Sequence, residues 1–576
     1  MGKGPTLFNG SWPASRTKNL PLLGLCLPLH GYNSGWYPRS WSTILILCYS
    51  ILLHLHTAMA LQSWMLVLVA SLTYLAALVA YRLYFHPLRH FPGPKIAAIT
   101  GWYECYHDLK RPRGMFMYKI RELHKIYGPV VRISPDEIHV HDSTWIDTVF
   151  VNPAQGARDK YGPAAAQAGT PDGVFGTALN NLHKRRRAAL NPLFSKTCAS
   201  LAEKMIYEKA ELLLRRIDEQ IIRDGCAEMR NAFLAFATDV VTHYCFGHSL
   251  GLLEDEAKSR DWFGCIRALG ATIPVARQFN WIIPVSQMLP ERVVRLLSPQ
   301  MAMVTSMHTM MEKQARLAVK EHTEYEHNRD KSKTQSNRGP LERLALFRTV
   351  LQNHGLPAPE KAFNRISHEG VTIIAAGGET TASAFMAAMY FICSDKQNIL
   401  PKLLMEIHSV MPTLDSQPSV AELERLPWLT AVIRETLRLT NLTARLTRVA
   451  PDEALRYQDW VMPPGTPVSM TLRDVAFDPT IFPNPYIFKP ERWLPSNPDL
   501  QTCNRYFVPF SKGSRMCIGI NLAYAELYIA LAFVFRRKDF QLVDTIRERD
   551  VDFVRDFFVG ETSPEGRGVH VKYAAS

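Results

Sequence analysis

Cys517 is the residue of this sequence whose surroundings best suit chemistry. It lies between Gly513 and Gly519 and shortly before an apolar run, so its sulfur is expected close to a helix N-terminus. The helix dipole and nearby N–H groups favour a thiolate there, and a thiolate that ligates haem iron pushes electron density toward dioxygen. Arg515 could pair with a porphyrin carboxylate, and Phe510 could pack over the sulfur. The alternative is a buried structural cysteine, which is the more common case for a lone cysteine.

A glycine pair followed by an acid and a hydroxyl lies upstream, inside a long apolar stretch. In a helix, Gly377 and Gly378 each cost about 1 kcal/mol relative to alanine, which suggests a local requirement. We expect the pair to let the helix approach a cofactor and distort, making room for dioxygen. Glu379 and Thr380 would then supply the carboxyl and hydroxyl groups of a proton relay. Taken alone, such a pair is usually solvent-facing.

Together these two segments resemble the cytochrome P450 family. Residues 510–519 match its haem-binding signature FxxGxRxCxG at all five fixed positions, and residues 376–381 match its (A/G)Gx(E/D)T(T/S) motif. The resemblance implies a b-type haem with Cys517 as the axial ligand of the iron and the glycines of both motifs beside the cofactor. It also implies a monooxygenase that inserts one oxygen atom of O2 into an apolar substrate.

A charged triad resembles the family's structural support for the cysteine loop. Glu435 and Arg438 are three residues apart on one helical face, where surface pairs are common and contribute only tenths of a kcal/mol. They match the family's ExxR motif, whose third partner would be Arg492. The resemblance implies a buried network without a catalytic role.

Two further segments are expected to neutralise the haem propionates. His183 and Arg187 are four residues apart on one side of a helix and resemble the family's WxxxR motif, with histidine in place of tryptophan. Arg448 stands where the family has a strand arginine that contacts a propionate. A plain surface arginine is the alternative at this position.

Hydrophobic periodicity predicts a mainly α-helical protein with small β-sheets, of the α+β type, which agrees with a cytochrome P450 fold. Apolar residues recur every three or four positions in residues 201–222, 301–319 and 363–393. Short extended segments predict two hairpins, one from residues 130–133 and 138–140 and one from residues 460–462 and 467–470. The polar residues 321–340 predict a surface loop.

The N-terminal part of the chain predicts a membrane anchor. Residues 58–81 are long and apolar enough for a transmembrane helix, whereas residues 43–55, within an N-terminal segment 1–57, leave a short second span open. A proline-rich hinge, residues 82–96, would join the anchor to the haem-thiolate monooxygenase domain, residues 97–576. Basic residues after the anchor favour a cytosolic domain, and the resemblance implies a single-pass protein of the endoplasmic reticulum membrane. Asn9 would then be a candidate glycosylation site.

Charge and composition restrict the partners. The net charge is +13, but the basic residues are scattered and lack a nucleic-acid-binding motif, so we expect a membrane surface or an acidic protein and no nucleic acid. Ten cysteines without CxxC pairs fit a reducing compartment. By resemblance, electrons would come from NADPH through a cytochrome reductase with an acidic surface.

Two segments narrow the resemblance to fungal secondary-metabolite enzymes similar to trichodiene oxygenase, a sesquiterpenoid oxidase. They are residues 81–88 and 186–192. This predicts a small apolar, terpenoid substrate, with a polyketide, an alkaloid or another scaffold as alternatives. Two other functions are open at this point: a haem-thiolate isomerase or dehydratase without net oxygenation, against which the Glu379-Thr380 pair argues, and a haem-thiolate binding protein without turnover.

Overall fold

The structure is a computed structural model that describes residues 40–152, 154–327, 345–440 and 445–574. Asn9 and residues 328–340 lie outside these residues, whereas residues 321–327, which were predicted to be a surface loop, form the end of the helix Pro299–His327. The chain divides at residue 77 into two compact units.

Helices dominate the described part of the chain. Those of eight or more residues are α1 (Ser40–Ala80), α2 (Trp102–Leu109), α3 (Phe116–Tyr127), α4 (Asn180–Leu190), α5 (Glu203–Asp224), α6 (Met229–Phe246), α7 (Glu256–Gln278), α8 (Pro299–His327), α9 (Phe363–Ser394), α10 (Lys396–Val410), α11 (Pro427–Leu439) and α12 (Ile520–Arg537). Shorter α-helices are Lys95–Ile99, Ile146–Val149, Gly162–Ala166, Lys196–Ser200, Ile282–Met288, Glu291–Leu297, Leu346–Leu351, Val420–Leu423, Leu472–Ala476, Leu500–Arg505 and Arg547–Asp550.

Twelve short strands form four small sheets among the described residues. They are β1 (Val130–Arg132), β2 (Ile138–Val140), β3 (Asp159–Lys160), β4 (Ala227–Glu228), β5 (Arg445–Val449), β6 (Leu455–Tyr457), β7 (Trp460–Met462), β8 (Pro467–Thr471), β9 (Phe540–Val543), β10 (Arg555–Phe557), β11 (Val559–Glu561) and β12 (His570–Tyr573). The largest sheet has the order β1-β2-β8-β5-β3. The predicted mainly helical fold with small sheets is confirmed.

One of the two predicted hairpins is wrong. β1 and β2 pair antiparallel as predicted, with Val130 opposite Val140. β7, however, pairs with β6, and β8 lies between β5 and β2 in the large sheet. β7 and β8 are close in sequence, but only a 2-residue turn separates β7 from β6. Such a short turn favours an antiparallel hairpin, so β7 pairs with β6.

Helices α6 and α9 pack closely at the centre of the fold. A Cβ on Gly377 would lie 2.7 Å from Val241 Cγ2, and one on Gly378 would lie 2.6 Å from Thr238 Oγ1. Both glycines are therefore needed for the contact between these helices. The packing against α6 gives Gly377 a structural reason in addition to the predicted room beside a cofactor, which stays a prediction.

α1 is a single helix of 41 residues that runs without interruption through residues 43–55 and 58–80, and a π-helical turn, Tyr81–Phe85, follows it. At 1.5 Å per residue it extends about 60 Å, roughly twice the thickness of a bilayer's hydrocarbon core. Within it and the turn that follows, Tyr49–Phe85 is apolar enough to cross a membrane, and none of its most apolar stretch is buried. The described residues thus contain one long candidate anchor, whereas the sequence allowed residues 43–55 to form a separate, second span.

The proline-rich segment 82–96 is packed against the folded unit that begins at residue 78. Leu88 is only 2% exposed, and the Arg132 guanidinium donates hydrogen bonds to the carbonyl oxygens of Arg82 and Leu88 at 3.1 and 3.5 Å. The Arg132 N–H donates to Pro92 O at 2.7 Å. This segment is therefore held by hydrogen bonds along its length, in keeping with a stiff connection.

Candidate functional site

The cysteine loop is a tight turn that presents Cys517 at the start of α12. The Cys517 N–H donates to Phe510 O at 2.9 Å, which closes the loop. Gly513 has φ +74°, and a Cβ there would lie 2.5 Å from Val151 O, so this position requires glycine. Gly519 differs: its φ is −83° and a Cβ would meet no protein atom within 4 Å. The polypeptide itself therefore gives no reason for glycine at position 519.

The Cys517 side chain is accessible, although it lies deep among protein atoms. Desolvation raises its pKa, while the Gly519 N–H and the charge of Arg187 act in the opposite direction. The N–H of Gly519 at the start of α12 thus lowers the pKa of Cys517, as the sequence predicted. In the polypeptide without a cofactor, however, burial has the larger effect and the pKa is raised. A metal cation at the sulfur would reverse this balance, since a coordinating thiol loses its proton.

Phe510 packs against a second aromatic ring beside the cysteine loop. Its ring lies 5.3 Å from that of Tyr524 on α12, centroid to centroid, in a tilted arrangement. Arg187 also reaches the loop, where its Nη1 donates to Met516 O at 2.6 Å. Helices α12 and α4 thereby fix the backbone on both sides of the sulfur.

Positively charged side chains gather beside this loop, and among the described residues none of them has a carboxylate within ion-pair distance. Arg448 is 5% exposed, and the hydrogen bond found for its side chain in the described part of the chain is to Thr447 O at 3.1 Å. Burial, and then the charge of Arg515, lower the pKa of Arg448 to about 9. Arg515 donates to Thr177 O at 2.7 Å and Ala178 O at 2.6 Å, but its buried Nε has no partner.

His183 lies beside these positively charged side chains. It is 3% exposed, and its Nδ1 has no hydrogen-bond partner among the described residues. Burial, and then the charges of Arg515 and Arg187, lower the pKa of His183 to about 3. His183 is therefore neutral at physiological pH and offers one N–H donor, as the indole of the family's tryptophan would.

Lys160 completes the cluster, and the sequence analysis missed it. It pairs with Arg448 across β3 and β5, and its Nζ donates to Phe175 O at 2.8 Å. The same Nζ lies 3.2 Å from the centroid of the Phe175 ring. Burial, followed by Arg448 and Arg515, lowers the pKa of Lys160 well below its usual value. Only the strand register brings Lys160 to this place, so no local sequence signal could have found it.

The two groups of the predicted proton relay are not brought together. Thr380 lies on the half-exposed side of α9 with Ala376, and its hydroxyl donates to Ala376 O at 2.6 Å. Glu379 is 7% exposed and accepts from Arg230 Nη2 at 2.7 Å, and the same nitrogen lies 3.1 Å from Glu561 Oε1. Glu379 therefore belongs to a buried ion network that joins α9, α6 and β11.

Glu435, Arg438 and Arg492 form the buried network that the resemblance implies. Glu435 is fully buried, with Oε1 at 2.8 Å from Arg438 Nη2 and 3.2 Å from Arg492 Nε. The indole of Trp493, which the sequence analysis did not single out, donates to Glu435 Oε2 at 2.9 Å. Arg438 Nη1 and Arg492 Nη2 donate to the carbonyl oxygens of Ala476 and Asn484. The network thus ties α11 to the segments that precede the cysteine loop.

Comparison with known proteins agrees with this geometry. The family model "Cytochrome P450" matches residues 99–560. The chain therefore belongs to the cytochrome P450 family. It is 38% identical to a cytochrome P450 monooxygenase of Ascocoryne sarcoides over 87% of this chain and 96% of the relative. It is 38% identical to a tryptophan 6-hydroxylase of Fusarium equiseti (86% and 94%) and 33% identical to a conidiogenone synthase of Penicillium rubens (87% and 96%). It is thus a monooxygenase of the fungal secondary-metabolite group.

Membership of this family implies haem, and the residues present fit that group. Haem carries two propionates, and the cluster of Lys160, His183, Arg448 and Arg515 has no ion pair within 4 Å in the part of the chain that the structure describes. Buried cations without counter-ions are costly unless an anion binds them. The partnerless Arg515 Nε and His183 Nδ1 supply donors for such an anion.

Replacing Arg448 by glutamine is expected to have opposite effects with and without haem. Loss of a hydrogen-bonded cation should speed haem release about 10- to 100-fold, since a hydrogen bond to a charged group contributes about 1.5–3 kcal/mol. The haem-free chain should become more stable, because an uncompensated buried charge is removed. Transfer of haem to apomyoglobin measures the first effect and urea unfolding of the haem-free chain the second. Arg185→Gln, an exposed change on α4, is the control, and unchanged haem release in Arg448→Gln would contradict the assignment.

Proposed function

We propose that this protein is a haem-thiolate monooxygenase in which Cys517 is the axial ligand and NADPH supplies electrons through a cytochrome reductase. The observation that carries the proposal is an exposed cysteine at a helix start beside Arg448 and Arg515, for which the described residues offer no carboxylate within ion-pair distance. When bound, haem supplies the chemistry by which dioxygen is split between the substrate and water. The chain's own residues hold it, shield the sulfur and deliver protons.

Thr380 is the residue that we propose for proton delivery. Thr380 is half-buried, and its hydroxyl donates a hydrogen bond to the carbonyl oxygen of Ala376, an exposed residue one turn earlier on α9. A hydroxyl in this position passes a proton along a hydrogen-bonded chain. Glu379 is already held by Arg230, so we assign it a positioning role in the ion network.

We expect Thr380→Ala to uncouple NADPH oxidation from product formation. NADPH consumption should continue, while product per NADPH falls at least about tenfold and hydrogen peroxide rises, because the proton donor is lost. The matched control is Thr381→Ala, which removes a buried hydroxyl from the next position. The measurement compares NADPH, product and peroxide in the reductase-reconstituted enzyme. Equal coupling in Thr380→Ala and wild type would rule out the relay role.

NADPH consumption that requires both reductase and substrate tests the function itself. A monooxygenase consumes NADPH with both present and transfers one atom of labelled dioxygen to the product. A haem-thiolate isomerase or dehydratase would convert substrate without NADPH, and a binding protein would show neither reaction.

The substrate that we propose is a small, largely apolar secondary metabolite of a fungal pathway. The relatives' names include a tryptophan 6-hydroxylase, an N-acetyltryptophan 6-hydroxylase and a conidiogenone synthase, so they do not favour a terpenoid over an indole scaffold. Product analysis after co-expression with a reductase and the neighbouring genes would decide between these classes.

We further propose a single-pass protein of the endoplasmic reticulum membrane with its catalytic domain in the cytosol. The exposed apolar segment Tyr49–Phe85 supports an anchor, and Arg82, Arg89 and Lys95 at its C-terminal end favour a cytosolic side there. The net charge of +13 suits an acidic reductase surface and an acidic membrane. Protease protection of the N-terminus, but not of the domain, in sealed microsomes would test this orientation.

A further inference from the structure

Residues 170–178 form a segment that is hydrogen-bonded to α9, the helix of the proposed proton donor. The Val174 N–H donates to Glu369 Oε1 at 3.0 Å. The hydroxyl oxygen of Thr372 lies 3.1 Å from that of Thr170, within hydrogen-bond distance. The N-terminal half of the segment is therefore fixed to α9.

The C-terminal half of the segment is hydrogen-bonded to the positively charged cluster beside the cysteine loop. Arg515 donates to the carbonyl oxygens of Thr177 and Ala178, at 2.7 and 2.6 Å. Lys160 donates to Ala178 O through its backbone N–H at 2.9 Å and to Phe175 O through its Nζ at 2.8 Å. The segment therefore runs from the side chains that would hold the haem propionates to the helix of the proposed proton donor.

The Lys160 side chain makes two contacts with one residue of the segment. Besides its hydrogen bond to Phe175 O, Nζ lies 3.2 Å from the centroid of the Phe175 ring. A positive charge on Nζ strengthens both contacts, because charge-assisted hydrogen bonds are stronger than neutral ones and a ring face attracts a cation. The Phe175 ring in turn packs edge-on against the Phe558 ring, at 5.3 Å between centroids. How firmly Phe175 is held thus depends on the charge of Lys160.

The polypeptide alone disfavours that charge. Lys160 lies directly opposite Arg448 in the antiparallel pair of β3 and β5, and the two residues are only 7% and 5% exposed. Like charges in this arrangement repel each other. Burial, and then the charges of Arg448 and Arg515, lower the pKa of Lys160, and the charge of Arg277 acts in the same direction. Among the described residues no carboxylate lies within ion-pair distance of Nζ. An anion beside Lys160 and Arg448 would remove this penalty.

We propose that Lys160 couples the cofactor to segment 170–178: its Nζ stays charged when it pairs with a haem propionate, and in that state it holds Phe175 in place. The inference rests on the proposed haem site and makes Lys160 a positioning residue that acts through Phe175. Arg448 and Arg515 cannot replace it in this role, because a guanidinium group stays charged with or without an anion. The coupling is reciprocal, since contacts that favour the ammonium form also favour propionate binding. The segment is therefore held most firmly in the haem-bound enzyme.

The test combines a change in the protein with a change in the cofactor. Wild type and Lys160→Met are each reconstituted with haem or with its dimethyl ester, which lacks the propionate charges, and hydrogen–deuterium exchange of segment 170–178 is measured. Relative to wild type with haem, either change alone should speed exchange at least about threefold, because a hydrogen bond to a charged group is weakened or lost. Both changes together should add little, since they act through one contact. Lys184→Met, the same replacement at an exposed position of α4, should exchange like wild type with haem.

Each outcome separates this inference from the proposed function. The carbon-monoxide spectrum of each reduced sample first shows whether the haem-thiolate site is intact, and its failure in wild type would contradict the function instead. With that site intact, wild-type exchange in Lys160→Met would overturn the inference. An ester without effect on wild type would also overturn it, because Lys160 would then hold Phe175 without the cofactor. An ester that speeds exchange equally in wild type and Lys160→Met would assign the coupling to Arg515.

Discussion

Cys517→Ala is expected to abolish NADPH-dependent oxygenation. Without the sulfur the enzyme loses the ligand that pushes electron density toward dioxygen, so product formation should fall to the background of the reductase alone. The fold should survive, because Cys517 is exposed and contributes no buried side chain to the core. Product and NADPH measurements in the reconstituted system check the activity, and circular dichroism checks the fold.

A cysteine elsewhere provides the matched control for this experiment. Cys226 is half-buried and directly precedes β4, which pairs with β12, so it is not part of the cysteine loop. Cys226→Ala should retain full turnover. Oxygenation by Cys517→Ala at a rate comparable with wild type would show that another group ligates the metal or that no thiolate is needed.

Glu435→Gln is expected to cause the largest loss of stability. The carboxylate is fully buried and accepts hydrogen bonds from Arg438, Arg492, Trp493 and the Lys489 N–H. Neutralising it leaves two buried guanidinium groups without a counter-charge, which costs about 3–5 kcal/mol of the free energy of unfolding. Urea unfolding of the full chain in detergent, followed by tryptophan fluorescence, measures the change.

The control is an ion pair with the same spacing on the surface. Lys119 and Glu122 are also three residues apart, with Glu122 62% exposed. Glu122→Gln should change stability by less than about 1 kcal/mol. If both glutamine variants lost the same small amount, the network around Glu435 would not have the supporting role assigned to it.

The elements that the sequence predicted well are those with a local pattern. Periodicity placed helices at 301–319 and 363–393, and the structure has them at Pro299–His327 and Phe363–Ser394. Apolar residues recur every three or four positions in both helices, so successive turns repeat the signal. The predicted partner of β7 was wrong because an extended segment carries no information about which strand it will pair with. Turns and neighbouring strands decide the pairing and its register.

The candidate site shows the same division. The motifs around Cys517 and Glu435 could be recognised because the residues that define each motif lie within a few positions of one another. Lys160 reaches the site only through its pairing with Arg448, which is 288 positions later, and Arg230 reaches Glu379 from another helix. The reason for Gly377 was also not local, since it depends on Val241 of α6. Such long-range contacts arise from packing and are not encoded in any short pattern.

The carbon-monoxide difference spectrum of the reduced wild-type protein tests the haem-thiolate assignment most directly. We predict the red-shifted Soret band of thiolate-ligated haem, lost in Cys517→Ala and kept in Cys226→Ala. A wild-type protein that binds haem but shows the band of nitrogen ligation, or that keeps the thiolate band without Cys517, would contradict the account.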